Sequence, residues 1–193
     1  ANDPDADRLA VAVPVPGGGF RQLTGNEVGV LLGHYVLTES KPAPGRLVVA
    51  SIVSSPMLGA IATALGARYE ETLTGFKWIA NRALVLEAEA KKAGKPIQFV
   101  MGYEEALGYT VGTVARDKDG IGSAVVIAEL AALCRSRGIT LVDYLAEIQR
   151  RFGLFVGSQK SLTMPGKDGA AQINSLMERL RANPPQVVAG RKV

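Results

Sequence analysis

Hydrophobic residues in the segment 1–152 fall into two alternating patterns. Short apolar or β-branched runs bounded by glycine, proline or serine predict strands, whereas longer segments with apolar residues three and four positions apart predict helices. The predicted strands are 9–15, 20–23, 46–53, 69–73 and 97–101. The predicted helices are 24–38, 55–65, 76–92, 121–137 and 140–152. Because helices alternate with the later strands, the pattern predicts an α/β domain with a largely parallel sheet.

Local signals set several of these boundaries. Thr24 followed by Glu27 matches a capping box at the start of the first helix. Gly66 and Gly138 each follow a helical segment and are expected to end it. The segment 46–53 is almost continuously apolar, which is typical of a strand buried on both faces of a sheet.

Residues 154–193 have a different character. The segment 154–164 favours extended structure, and 167–181 has the pattern of an amphipathic helix. Pro184 and Pro185 indicate a linker, after which 187–193 carry no clear pattern. This part is predicted to connect the α/β domain to something further along a longer protein.

The composition is that of a globular protein and excludes several other classes. Of the 193 residues, 47% are hydrophobic and 21% are charged. No apolar run reaches the roughly 20 residues that span a bilayer, and no secretory signal opens the chain, so we expect no membrane segment and a cytoplasmic location. The net charge of +4 is scattered and forms no basic stripe, so nucleic-acid binding is not expected. An anionic small molecule suits this charge.

The chain has one cysteine and one histidine. Cys134 lies in an apolar helical stretch, where a small core residue is favoured over a nucleophile. His34 lies inside a predicted helix, and no Ser-His-Asp arrangement is evident, so a hydrolase triad is not expected.

Three aspartates alternate at the start of the chain, at Asp3, Asp5 and Asp7. In an extended or looped backbone such side chains converge, and three carboxylates repel one another unless a cation lies between them. Their hard oxygen atoms favour Mg²⁺ or Ca²⁺, and we place this interpretation ahead of an exposed acidic turn. An EF-hand fails on spacing, because Arg8 and Pro14 stand where it needs glycine and glutamate. A catalytic aspartate of the phosphatase type stays open as an alternative.

Four further segments carry candidate chemistry. Arg8 either grips a phosphate or forms a salt bridge with the neighbouring aspartates. Thr74, Gly75 and Lys77 surround a predicted helix start, where free N–H groups suit an anion or sugar hydroxyls, although the adjoining Trp78 is more often a core residue.

Glu104 and Glu105 follow a predicted buried strand. They suit either sugar hydroxyls or a helix N-terminus. Lys118 lies in a polar turn; with a lowered pKa it would serve as a general acid or base, and otherwise it is a solvated residue. The segments at Thr74 and Glu104 follow strands, which places them at the edge of the sheet where ligands bind in open α/β folds.

Taken together, the segments resemble the α-D-phosphohexomutase superfamily, which includes phosphoglucomutase and phosphomannomutase. The resemblance covers about residues 1–155 and rests on four motifs in the family's order. They are Asp3-Pro4-Asp5-Ala6-Asp7-Arg8, Thr74-Gly75-Phe76-Lys77, Glu104-Glu105-Ala106-Leu107-Gly108-Tyr109 and Lys118-Asp119-Gly120.

The resemblance implies a three-layer α/β/α domain with a mixed, mostly parallel sheet and partial flanking segments. It implies that Asp3, Asp5 and Asp7 bind Mg²⁺ and that Arg8 lies near a catalytic phosphoserine. It also implies a phosphosugar substrate, and it makes Lys118 a candidate for proton transfer. The implied substrate-binding residues are Thr74, Gly75, Lys77, Glu104 and Ala106.

The implied reaction moves phosphate between the 1- and 6-positions of glucose or mannose through a phosphoserine and a bisphosphorylated intermediate. Many members carry serine where this chain has Ala106, and with Thr74-Gly75-Phe76-Lys77-Trp78 this resembles the type two phosphoglucomutase or phosphopentomutase branch. A 1-/5-phosphate reaction on a pentose is therefore an alternative. A metal-dependent phosphatase or phosphotransferase and a non-catalytic sugar-phosphate module are the others.

The family's serine motif, of the type Thr-Ala-Ser-His-Asn-Pro, and its last-domain motif, Arg-Thr-Ser-Gly-Thr-Glu-Pro, do not occur in the sequence. We therefore expect the chain to be a piece of a longer protein and to be inactive alone. On this view 1–23 end a second domain, 24–155 form the third, sugar-binding domain, and 156–193 lead toward a fourth. The other domains of the same protein would be its partners.

Overall fold

A four-stranded sheet organises the computed structural model, which describes residues 1–40, 43–157, 162–166, 168–188 and 190–192. The strands are β1 Ala12–Pro14, β2 Phe20–Gln22, β3 Arg46–Ser51, β4 Arg68–Thr72, β5 Gln98–Glu104, β6 Gly108–Val111, β7 Val187–Val188 and β8 Arg191–Lys192. The helices are α1 Gly25–Glu39, α2 Met57–Ala64, α3 Phe76–Lys92, α4 Gly120–Ser136, α5 Leu141–Phe152 and α6 Gly169–Ala182. The chain divides into two compact units, Ala1–Val156 and Gly157–Val193.

The main sheet has the order β4-β3-β5-β6. Strand β3 runs parallel to both β4 and β5, and β6 is antiparallel to β5. All six residues of β3 are buried, as its apolar sequence predicts. The predicted mixed, mostly parallel sheet is therefore confirmed.

Strand β6 was not among the predicted elements. It pairs with β5 across the three residues 105–107, and the hairpin closes with Leu107 at a φ of 66°. Turns of this kind normally carry glycine or asparagine at the left-handed position, so a leucine there gives no sequence signal for a hairpin.

Helices cover both faces of the sheet, which makes three layers. Leu47 and Val49 of β3 face α3 on one side and form a small core with Phe76 and Ile79. The alternate residues of β3 face the larger core on the other side, which α1, α2, α4 and α5 supply. The side chains of β3 thus alternate between two cores, as the pleat of a strand requires.

Helix α1 lies at the centre of the larger core. Its capping box is present: Thr24 accepts from the N–H of Glu27, and the Glu27 carboxylate accepts from the N–H of Thr24 at 2.7 Å. The helix is buried from Val28 to Leu37. Gly25 and Gly29 lie so close to the hairpin that a Cβ on either would overlap Glu105 or the ring of Tyr103. These glycines therefore permit a close approach of α1 to β5 and its turn.

The first residues of the chain pack with the main sheet. Strands β1 and β2 form an antiparallel hairpin, and Leu9, Val13 and Leu23 are buried in the larger core. Residues 1–23 thus belong to the same compact unit as the main sheet. The predicted domain boundaries after 23 and 155 stay predictions.

The second unit contains α6 and a small antiparallel hairpin of β7 with β8, which was not predicted. Of the predicted extended segment 154–164, residues 158–161 lie outside the described residues. The described remainder of that segment has no regular structure. Among the described helices, none combines the length and the apolar character that crossing a membrane requires.

Candidate functional site

The carboxyl ends of the three parallel strands meet at one edge of the sheet. Ser51 at the end of β3 pairs in register with Thr72 at the end of β4, and Glu104 ends β5. Sequence patterns place Glu104 beyond the strand, but β5 extends to include it, because its pairing with Gly108 of β6 prolongs the ladder. Polar residues from three strands thus come together where open α/β folds bind ligands.

Glu104 connects two of the predicted substrate segments. Its side chain is 7% exposed, and its Oε1 accepts a hydrogen bond of 2.5 Å from the backbone N–H of Gly75. Gly75 has a φ of 117°, which side-chain-bearing residues rarely adopt, and it immediately precedes α3. The start of α3 and the end of β5 are therefore joined through a glycine and a nearly buried carboxylate.

The other predicted substrate-binding residues of these two segments point outward. Thr74, Lys77 and Ala106 are exposed, as a surface that contacts a ligand requires. Trp78 is 45% exposed, so the prediction that it is a core residue is wrong. The Lys77 ammonium lies 5.5 Å from the centre of the Trp78 ring. Lys77 and Trp78 thus form a cation–π pair on the open side of the site.

Glu105 turns toward the end of β3 and away from Glu104. Its Oε2 accepts hydrogen bonds from the hydroxyls of Ser51 at 3.1 Å and Ser54 at 3.4 Å, and these two hydroxyls lie 2.7 Å apart. Sequence reasoning missed Ser51 and Ser54 as partners of the turn, although two serines directly after a buried strand are a usable signal. They hold the 105–107 turn against β3.

The acidic segment at the start of the chain folds back on itself. Ala6 has a φ of 59°, and its N–H donates to the carbonyl of Asp3 at 2.9 Å. One carboxylate oxygen from each of Asp3, Asp5 and Asp7 lies within 4.8 Å of the others, so the predicted convergence is present in the structure. We call residues 3–8 the acidic loop.

The acidic loop has the donor set that Mg²⁺ prefers. All three converging groups are carboxylates, and hard oxygen ligands bind hard divalent cations. Oδ1 of Asp7 is buried and has no hydrogen-bond partner within the described residues. A buried carboxylate oxygen without a donor is costly, and a cation would satisfy it. The residues present therefore fit a divalent cation.

Backbone contacts dock the acidic loop beside the β5–β6 hairpin. The N–H of Leu9 donates to the carbonyl of Leu107 at 3.1 Å, and Arg8 forms a β-bridge with Gly108. At the start of α4, a Cβ on Gly120 would lie 2.5 Å from the carbonyl oxygen of Arg8. A glycine at this position is required for the loop to approach the helix.

Arg8 forms the salt bridges that were one of its two predicted roles. Its Nε lies 3.4 Å from Oδ2 of Asp3 and 3.7 Å from Oδ1 of Asp7, while its side chain is about half exposed. Its backbone N–H donates to Asp3, and this hydrogen bond holds the pKa of Asp3 below its usual value. The role of Arg8 toward a phosphate stays a prediction.

Lys118 lies between the hairpin and the acidic loop. Its ammonium forms an ion pair with Oδ2 of Asp7, and its aliphatic stem lies over Gly108, where an added Cβ would be 2.7 Å from Cδ of Lys118. The hydrogen bond to Asp7 raises the pKa of Lys118. This direction is opposite to the lowered pKa that a general acid–base lysine needs, and the role of Lys118 in proton transfer stays a prediction.

Four of the predicted residues are thus connected, through Gly108, in a continuous row along one edge of the sheet. Gly75 donates to Glu104, Glu104 pairs in register with Gly108, and the stem of Lys118 lies on Gly108. The ammonium of Lys118 then reaches Asp7 in the acidic loop. We call this series of contacts the site row.

Comparison with known proteins decides the family. The family described as phosphoglucomutase/phosphomannomutase, alpha/beta/alpha domain III, matches residues 24–152. The chain belongs to this family. The resemblance inferred from the four motifs is therefore confirmed, and so is the three-layer α/β/α domain.

Individual family members agree with this assignment. The chain is 43% identical over 194 residues to a protein named probable phosphomannomutase from Haemophilus influenzae, an alignment that covers 100% of this chain and 36% of that one. It is 39% identical over 189 residues to the phosphopentomutase of Pongo abelii, an alignment that covers 94% of this chain and 29% of that protein. The chain therefore spans about a third of the length of the curated relatives it matches.

A solved structure shows the same fold. The open form of parafusin, a phosphoglucomutase from Paramecium, superposes with a TM-score of 0.61, and the superposition covers 100% of this chain and 31% of parafusin. At 21% sequence identity this likeness shows the fold alone.

Proposed function

We propose that this chain is the sugar-phosphate-binding part of a phosphosugar mutase. In this proposal the whole protein interconverts the 1- and 6-phosphates of a hexose such as glucose or mannose. The proposal is supported by the family and by relatives named phosphomannomutase and phosphopentomutase. The sugar phosphate would lie along the carboxyl edge of the main sheet.

One observation carries the proposal: the site row joins the predicted sugar segments to the acidic loop. The carboxylate of Glu104 is fixed by Gly75, and the Lys118–Asp7 ion pair connects the same hairpin to three converging carboxylates. A phosphosugar mutase needs hydroxyl-binding groups next to a site for charge neutralisation, because it must hold a sugar beside a transferring phosphoryl group.

Residues in and beside the site row have distinct roles in the proposal. The carboxylate of Glu104 accepts hydrogen bonds from sugar hydroxyls, and its hydrogen bond to Gly75 fixes its direction. Thr74 and Lys77 line the open side of the site. Arg8 and Lys118 present positive charge toward phosphate oxygens.

Asp3, Asp5 and Asp7 would hold Mg²⁺, and bound Mg²⁺ would supply neutralisation of charge at the transferring phosphoryl group. The serine motif that carries the phosphoryl group in the family is absent from the sequence. In the proposal that phosphoserine comes from another part of the protein.

A pentose substrate is the second candidate. The relative from Pongo abelii is named phosphopentomutase, and Ala106 lies exposed on the hairpin turn, where many members carry serine. An alanine there cannot donate or accept a hydrogen bond, so a smaller sugar with fewer hydroxyls would lose less at this position.

Isothermal titration calorimetry tests binding by the chain itself. Glucose 1-phosphate, mannose 1-phosphate and ribose 1-phosphate are titrated with and without Mg²⁺. We expect Glu104→Gln to weaken the sugar phosphate that binds by about tenfold or more, because a carboxylate that accepts hydrogen bonds from hydroxyls contributes about 1.5–3 kcal/mol. Glu147→Gln, at an exposed position on α5, is the matched control and should bind as the unmodified chain does.

The preferred sugar decides between the two candidates. Tighter binding of a hexose phosphate supports the 1-/6-phosphate reaction, whereas tighter binding of ribose 1-phosphate supports the pentose alternative. Equal affinities of the chain and of Glu104→Gln for every sugar phosphate would overturn the proposed site.

A further inference from the structure

The Asp7 carboxylate has two oxygens in different surroundings. Oδ2 forms the ion pair with Lys118, while Oδ1 is buried, has no hydrogen-bond partner within the described residues, and lies 3.7 Å from Nε of Arg8. Asp7 also belongs to the three converging carboxylates. The same side chain is thus bound by an internal cation and suited to an external one.

The position of Lys118 is fixed by its neighbours along the chain. The N–H of Asp119 donates to the carbonyl of Tyr109 at 2.7 Å, and the Asp119 side chain caps α4 by accepting from the N–H of Gly122 at 2.8 Å. The stem of Lys118 lies on Gly108. These contacts position the ammonium next to Asp7 on the side of the β5–β6 hairpin. The Lys118 side chain is 22% exposed.

An ammonium and a divalent cation on one carboxylate repel each other. At about 5 Å the repulsion between a single and a double positive charge is more than 1 kcal/mol even with the dielectric constant of water, and larger where the site is partly buried. Coordination of a divalent cation by Asp7 therefore favours displacement of the Lys118 ammonium from this carboxylate.

We propose that Lys118 competes with the divalent cation for Asp7. Binding of the cation displaces the ammonium, and Lys118 thereby lowers the affinity of the acidic loop for metal. The inference rests on the proposed Mg²⁺ site, and it assigns Lys118 a positioning role that differs from proton transfer.

After displacement, the Lys118 ammonium stays close to the proposed sugar site. Its stem is held at Gly108, which pairs in register with Glu104, so the freed charge stays beside the proposed sugar site. Metal binding would thus offer a positive charge to an anionic ligand. Because coupling between two ligands is reciprocal, a sugar phosphate that engages Lys118 would also strengthen metal binding.

Metal affinity of the full chain is the first test, and it needs no catalytic activity. Mn²⁺ binding is followed by electron paramagnetic resonance and Mg²⁺ binding by calorimetry. We expect Lys118→Met to bind both ions at least about fivefold more tightly than the unmodified chain. Lys118→Arg keeps the charge and should stay close to the unmodified chain, and Lys95→Met controls for the loss of an exposed lysine elsewhere.

A second test uses the unmodified chain and is independent of how the variants fold. The rate at which acetic anhydride labels Lys118 is measured by mass spectrometry with and without Mg²⁺. We expect Mg²⁺ to increase labelling of Lys118 severalfold and to leave Lys95 unchanged. Asp3→Asn should reduce the Mg²⁺ effect, because it removes one of the converging carboxylates.

The outcomes separate this inference from the proposed function. Metal affinity in Lys118→Met that is unchanged or weaker, or labelling of Lys118 that does not respond to Mg²⁺, would overturn the competition. Failure of the chain and all variants to bind either ion would overturn it as well. Loss of the proposed function would appear instead as absence of binding of glucose 1-phosphate, mannose 1-phosphate and ribose 1-phosphate, whatever the metal result.

Discussion

At the scale of single residues, Gly75 determines how the two substrate segments meet. Its φ of 117° depends on the absence of a side chain, and its backbone N–H donates to Glu104. The sequence indicates Gly75 as part of a helix start, but the partner of its N–H lies 29 residues away and no local pattern identifies it. This is why the candidate residues were predictable and their contacts were not.

Gly75→Ala is therefore expected to destabilise the chain by about 1–3 kcal/mol, the usual cost of forcing a side-chain-bearing residue into such a conformation. The added Cβ would also lie 3.3 Å from Cδ1 of Trp78. Urea denaturation measures the free energy of unfolding. Thr74→Ala, at the exposed neighbouring position, should change it by less than about 0.5 kcal/mol, and equal losses in the two variants would contradict the assigned role of Gly75.

His34 gives the chain a predictable response to acid. The ring is 8% exposed, and its Nδ1 lies 2.8 Å from the hydroxyl of Tyr144. Burial, aided by the charge of Arg151, lowers the pKa of His34 from 6.5 to about 4. The unfolded chain therefore takes up a proton on this residue between pH 6.5 and about 4 while the folded chain does not, so folding stability falls as the pH falls through that interval.

We expect His34 to lower the free energy of unfolding by on the order of 2 kcal/mol between pH about 7 and pH about 4. A completely buried histidine would give a larger decrease. Urea denaturation at several pH values measures it. His34→Gln removes the titrating group, so the difference between the two chains should shrink as the pH falls. Parallel pH profiles for the two chains would show that His34 titrates normally.

At the scale of elements, local signals predicted the helices well because their caps and breakers are local. The capping box at Thr24 and the burial of β3 on both faces of the sheet are both confirmed. Strand β6 was missed because its turn depends on Leu107 at a positive φ, which the surrounding packing imposes. Elements stabilised by tertiary contacts are the ones that a local pattern cannot predict.

The approach of α1 to β5 is one such contact. A Cβ on Gly29 would overlap the ring of Tyr103, which is fully buried. Helix propensity alone would make Gly29→Ala stabilising by about 1 kcal/mol, whereas overpacking of a core typically costs about 1–3 kcal/mol. We expect a net loss in the free energy of unfolding, measured with urea, and a stabilised variant would contradict the packing described for this helix.

At the scale of the whole molecule, the order of strands and helices predicted the edge of the sheet at which the candidate residues lie. The docking of the acidic loop was not predictable in the same way. It depends on Gly120 at the start of α4 and on an ion pair between Asp7 and Lys118, which are 111 residues apart. The motifs indicated the candidate residues, and the fold supplies their arrangement in space.

Turnover is also a property of the whole molecule. Because the family's serine motif is absent from the sequence, we expect no mutase activity from this chain with glucose 1-phosphate, Mg²⁺ and a bisphosphorylated activator. A coupled assay for glucose 6-phosphate measures it. Robust formation of glucose 6-phosphate would contradict the proposed origin of the phosphoserine, and release of inorganic phosphate would favour the phosphatase alternative.

A two-dimensional ¹⁵N–¹H NMR titration of the chain with glucose 1-phosphate and then Mg²⁺ tests most directly whether the carboxyl edge of the sheet binds the sugar phosphate beside the metal. If the site row is one sugar-phosphate and metal site, the sugar phosphate shifts the amide signals of Gly75, Glu104 and Gly108, and Mg²⁺ shifts those of the acidic loop and Lys118. If glucose 1-phosphate, mannose 1-phosphate and ribose 1-phosphate all leave the signals of Gly75, Glu104 and Gly108 in place, the carboxyl edge of this sheet is not the binding site and the proposed function is wrong.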